Sequence, residues 1–157
     1  MNIDSRAVIP LKVMLLGVFS VLVVLQGLAL YAGVANLDAP DGKPAGWALV
    51  SIFVLLALCA EVVLVATWRL LDLVRNGRIF SDAAFRWVDT IAGAIGSAWL
   101  ILGCVFLLVA YHADDPGMPV VIFVTTVAVG AMGLLVLVMR SLLRRAVRLR
   151  SEMDGVI

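Results

Sequence analysis

The sequence predicts an all-α, polytopic membrane protein of four transmembrane helices, paired as two hairpins with both termini on the cytoplasmic side. Three observations predict it. Hydrophobic content is 64 % and mean hydropathy +1.13, well above the ~45–50 % apolar usage of soluble domains, so lipid is the solvent that suits this much apolar surface. Four stretches without Asp, Lys or Arg each reach the ~20 residues that cross a ~30 Å hydrocarbon core at 1.5 Å per residue. Lys and Arg gather on one side of those stretches. The 157 residues have room for one domain, 1–157. β-Barrel strands are excluded because they alternate apolar and polar residues in segments of ~10, and these runs do not alternate.

The first span runs from Val13 to Ala35, preceded by Arg6 and Lys12. A basic start followed by Gly33-Val34-Ala35 resembles a signal peptide with a small-x-small cleavage site. The apolar run of 23 residues exceeds the ~7–15 of a signal h-region, however, and the segment is expected to remain as a helix. The second span runs from Trp47 to Trp68, the third from Ile91 to Tyr111 and the fourth from Pro119 to Met139. The connections Leu37–Pro44 and His112–Gly117 combine Asp, Pro and Gly, residues that set turn geometry. Connections this short make consecutive helices antiparallel neighbours.

Orientation follows from the basic residues. Arg6 and Lys12, then Arg69, Arg75, Arg78 and Arg86, then Arg140, Arg144, Arg145, Arg148 and Arg150 share one side; only Lys43 lies on the other, with Asp38, Asp41, Asp114 and Asp115. The positive-inside bias places both termini and the 69–87 link in the cytoplasm. Trp47, Trp68, Trp87, Tyr31 and Tyr111 fall near span ends, where amphipathic rings settle at the headgroups.

The 69–87 link reads as a helix stop followed by a helix start. Gly77 suits the left-handed C′ position, with Asn76 before it and Arg75 in the last turn. Ser81 suits an N-cap with Asp82 in the first turn, and Phe80 and Phe85 then occupy the two positions of a hydrophobic staple. The run Leu73-Val74-Arg75-Asn76-Gly77-Arg78-Ile79-Phe80-Ser81, followed by a basic-aromatic helix start and flanked by two hairpins, resembles a bacterial family of small four-helix membrane proteins, domain-of-unknown-function family 2975. Members are often encoded beside small helix-turn-helix regulators of the Xre type. The resemblance implies a multi-pass protein of the bacterial plasma membrane with a regulatory or partner-binding role. It supplies no catalytic residue. Arg75, Gly77, Arg78, Phe80, Ser81 and Phe85 are the candidate docking turn.

Glu61 is the one acidic or basic side chain within the spans. An acid near the bilayer centre costs ~2.5–3.5 kcal/mol on insertion scales, so it is expected to face protein. Its neighbours one turn away are Ala57, Leu58, Leu64 and Val65, none able to hydrogen-bond through its side chain. Matched by depth, Ser97 on the third helix and Ser20 or Gln26 on the first are the candidate partners; Thr125 and Thr126 lie too far toward the outside. The third helix also carries small residues at Ala92, Gly93, Ala94, Gly96, Ser97 and Ala98. Their small-xxx-small spacing predicts the tightest helix contact, or a homodimer face.

The basic tail, 140–157, continues the fourth helix. Arg140, Arg144, Arg145 and Arg148 share one side of it and suit anionic headgroups. A nucleic-acid role is disfavoured because the stripe is short and tethered to the bilayer. Cys59 and Cys104 sit in apolar runs and read as packing residues. His112 with Asp114 and Asp115 is a weak metal set without a second imidazole or thiol. Neither a phosphate-binding glycine loop nor a metalloprotease motif is present, and no metal, cofactor or enzymatic role is expected. The sequence therefore points to a non-enzymatic interaction or regulatory membrane protein contacting a cytoplasmic partner. The alternative is a small transporter or channel component using Glu61 as a proton or cation site.

Overall fold

The computed structural model describes residues 5–37, 44–75, 82–113 and 115–154. They form four helices, α1 (Ser5–Leu37), α2 (Pro44–Arg75), α3 (Asp82–His112) and α4 (Gly117–Asp154). Each contains one expected span and is long and apolar enough to cross a membrane, over Ile9–Ala35, Gly46–Leu73, Ala84–His112 and Gly117–Ala146. The helices overshoot the expected spans mainly at the end that carries the arginines, hereafter the basic end. The fourth helix continues through the basic tail, as its composition predicts. Of the candidate docking turn, Gly77, Arg78, Phe80 and Ser81 and the side chain of Arg75 lie outside the described residues.

The opening of α4 shows how short connections are closed. Pro119 sits in the first turn, where a missing N–H leaves no bond unmade. The Val120 N–H donates to the Pro116 carbonyl at 3.3 Å. Asp115 Oδ2 lies 3.1 Å from where a Cβ on Gly117 would stand, so a carboxylate covers the positive end of the helix.

Among the described residues α1 touches α2, α2 touches α3 and α3 touches α4, and no other pair of helices meets. The four helices therefore stand in a row, not around a common axis. The two expected hairpins thus lie side by side as an open antiparallel layer. The accessible surface of 11,458 Å² agrees, because a compact chain of this mass would show roughly 7,700 Å².

The pattern of exposure explains the row. The shielded positions of α1 are Lys12, Leu15, Phe19, Leu22, Gln26, Ala29 and Gly33, spaced alternately by three and four residues as on one helix seam. Those of α4 form a similar single line through Ile122, Thr126, Val129, Gly133, Val136 and Arg140. α2 has two such lines. One passes through Trp47, Val50, Ala57, Glu61, Leu64 and Trp68, the other through Ile52, Leu56, Cys59, Val63, Ala66 and Leu70. A helix with one seam has one neighbour, and a helix with two has two.

The most deeply buried side chains are small ones, Ala66 on α2 and Ala84 on α3, 0 % and 2 % exposed. The small residues expected to bring α3 close to another helix do not do so at Gly93 and Gly96, where a Cβ would meet nothing within 4 Å. That role falls to α4. A Cβ on Gly130 would lie 2.8 Å from Trp99 Nε1, and one on Gly133 3.2 Å from Ile95 Cγ2. Large side chains of α3 thus fill the places α4 leaves empty.

Candidate functional site

Within the spans, most polar side chains are satisfied by their own helix. Ser20 donates to the Leu16 carbonyl at 2.9 Å, Thr67 to Val63 at 2.8 Å and Ser97 to Gly93 at 2.9 Å. Thr125 donates to Val121 at 2.8 Å and Thr126 to Ile122 at 2.7 Å. A hydroxyl bonded one turn back on its own helix can face lipid without an unmade bond. These residues therefore do not mark a water-lined path.

Glu61 and Gln26 differ. Glu61 Oε1 and Gln26 Nε2 are buried and without a hydrogen-bond partner, as is Trp47 Nε1, and all three residues belong to the α1–α2 seam. The register of that seam is fixed at one end by Lys12 with Asp72 and at the other by Gly33 against Val50. It sets Glu61 opposite Leu22 and Val23 and Gln26 opposite Ala57 and Leu58, one turn or ~5 Å farther along. Helix side chains lean toward their own N-terminus. In antiparallel helices this brings the Glu61 carboxyl and the Gln26 amide toward each other from opposite levels.

Ser97 does not join them. It lies exposed on α3, bonded to Gly93, and α3 does not contact α1. Ser20 is likewise exposed on α1.

At the basic end the charges are held in place. Lys12 pairs with Asp72 across α1 and α2, and its ammonium stands 5.3 Å from the Trp68 ring centroid. Arg140 pairs with Asp89 across α3 and α4, with Nη2 donating to Oδ2 at 2.7 Å. Its Nε lies 2.5 Å from Oδ1 but off the hydrogen-bond direction, so the pair is ionic on that side. Arg69 lies 5.9 Å from the Trp87 ring and Arg144 5.9 Å from Phe85, within the ~6 Å reach of cation–π attraction. Arg86 and Arg145 are exposed and enter none of these described pairs. Of the four arginines expected to meet headgroups, Arg140 is committed to Asp89, Arg144 and Arg145 enter no ion pair among the described residues, and the Arg148 side chain lies outside the described residues.

Asp72, Asp89 and Trp99 were missed by sequence reasoning. The two aspartates fall at the span ends at the depth of Lys12 and Arg140, so matching opposite charges by depth would have found them. Nothing in the sequence distinguishes Trp99 from a lipid-facing ring.

At the opposite end His112 Nδ1 donates to the Leu108 carbonyl at 3.0 Å, with its ring edge-on to Tyr111. Among the described residues no group of three His, Cys, Asp or Glu is placed to hold a metal ion. Cys59 and Cys104 are both free thiols.

Comparison with curated proteins and with solved structures found no match. A family model does match, and over nearly the whole chain: residues 10–157 fit the family described as a protein of unknown function, DUF2975. The chain, with its four helices apolar enough to cross a membrane, belongs to that family.

Proposed function

We propose that the chain is a non-enzymatic membrane protein of the bacterial plasma membrane, oriented with its basic end in the cytoplasm, where it presents a fixed charged rim to a protein partner. The observation that carries this reading is the segregation of charge. Every ion pair and cation–π contact among the described residues lies at the basic end, while the mid-span hydroxyls close on their own helices. A rim whose cations are clasped by Asp72, Asp89, Trp68 and Trp87 keeps its shape, and Arg86 and Arg145, exposed and outside the pairs among the described residues, are the side chains offered for recognition. A small helix-turn-helix regulator is the expected partner class, and the 76–81 turn with Phe85 the expected contact.

The test is site-specific photo-crosslinking from position 86 in intact cells. A stoichiometric adduct with one cytoplasmic protein is expected. Adducts with lipid alone, or labelling of both termini from the outer side, overturn the reading.

A second reading is supported by Glu61 Oε1 and Gln26 Nε2, both unpartnered on one seam. A carboxyl that takes up a proton or small cation there would make the chain a transporter component. Flux into proteoliposomes that disappears with Glu61→Gln supports it, and flux unchanged by that substitution rules it out.

A further inference from the structure

We propose that the cleft between α3 and α4 seats one acyl chain of an anionic glycerophospholipid, with the phosphate held at Arg144. The cleft has a volume of about 500 Å³ and is floored by Ala92, Gly96, Gly130 and Gly133, with Trp99 at its inner end and Leu137 at its outer end. It is almost wholly apolar.

Its length identifies the occupant. From the level of Val127 to that of Leu137 α4 rises ~15 Å, half of a ~30 Å hydrocarbon core. The cleft therefore covers one leaflet, from the middle of the membrane to the basic end. A volume of about 500 Å³ over ~15 Å leaves a cross-section of roughly 30 Å², far below the ~80 Å² of a helix ~10 Å across. An extended hydrocarbon chain fits that section along its whole length.

The charges identify the headgroup. Arg144 and Arg145 lie two heptads on from Gly130 and Ala131, hence under the same face of α4. Both are exposed, and Arg144 is steadied over the Phe85 ring. Arg144 follows Leu137 by seven residues, ~10 Å of rise. Because its side chain leans back toward the N-terminus of α4, its guanidinium falls nearer the cleft than its Cα, at the level of the headgroups. Asp89, three residues before Ala92 on α3, is neutralised by Arg140. Among the described residues this end of the cleft is thus net positive where a phosphate would stand. The site goes beyond the partner reading above and does not depend on it.

The test uses Trp99 as the sole reporter, with Trp47, Trp68 and Trp87 replaced by Phe, in vesicles of phosphatidylcholine and phosphatidylglycerol with dibrominated chains on one lipid or the other. At equal bromine content, Trp99 quenching should show a relative affinity for phosphatidylglycerol about fivefold above that for phosphatidylcholine, the factor one basic residue near an anionic surface contributes. Arg144→Gln should remove the preference. Gly96→Leu, whose Cβ would meet nothing within 4 Å and whose side chain would occupy the cleft that Gly96 lines, should remove it with Arg144 intact. Equal quenching by the two lipids in the parent reporter overturns the proposal. Quenching by neither also overturns it, in favour of a second copy covering the cleft.

Discussion

Trp99 lies across α4 at Gly130, its indole Nε1 2.8 Å from the position a Cβ there would take. The ring can hold that place only because residue 130 has no side chain. Gly130→Ala should therefore force the indole aside into the cleft that both residues border and destabilise the protein by about 1 kcal/mol, the low end for overpacking. Gly17→Ala and Gly27→Ala meet open space and should stabilise by up to ~1 kcal/mol through helix propensity. Unfolding in mixed micelles measures all three. Equal effects would remove the packing argument.

The ion pair of Arg140 with Asp89 is partly exposed, at 27 % and 43 %. Pairs of this kind are worth ~0.2–1 kcal/mol and weaken in salt. Asp89→Asn should cost about that much, and a double-mutant cycle with Arg140→Gln should recover the same coupling. Additive losses in the cycle would mean that the two residues act separately.

Glu61→Gln retains a carbonyl acceptor and should leave the fold intact. If Glu61 and Gln26 meet across the α1–α2 seam, Glu61→Leu and Gln26→Leu should couple by about 0.6 kcal/mol, the average for hydrogen bonds between membrane helices. Thermal unfolding in detergent reads the cycle. Zero coupling leaves Glu61 as an isolated acid.

The open row is tested by paired cysteines in a background lacking Cys59 and Cys104. Cysteines replacing Gly33 and Val50, where a Cβ on Gly33 would lie 3.4 Å from Val50 Cγ2, should cross-link efficiently. Pairs placed at matched depth on α1 and α4 should not cross-link within one chain. A strong intrachain α1–α4 product would show a closed bundle.

The helices and their approximate ends were legible in the sequence, because length and hydropathy alone decide what crosses a bilayer. The packing was not. Lipid tails are as apolar as Leu and Val, so hydropathy cannot tell a seam-facing residue from a lipid-facing one. Depth matching consequently grouped Ser97 with Glu61, although the two sit on helix faces that do not meet. It was Gly130 and Gly133, not the small residues at Gly93 and Gly96, that accommodated side chains of the adjoining helix. An intramembrane Glu61 did stand out, since a carboxyl in hydrocarbon is anomalous whatever its neighbours. Gln26, grouped with it by depth, does carry its buried amide on the same seam.

Because each helix touches only the one before and the one after it, no contact between helices joins parts of the chain farther apart than a single hairpin. Low contact order of this kind favours rapid, local assembly. The first hairpin can complete its seam, with Lys12 finding Asp72, as soon as α2 emerges during synthesis, without waiting for the second half of the polypeptide. The second hairpin then adds along the free side of α2, so the order of translation is also the order of construction.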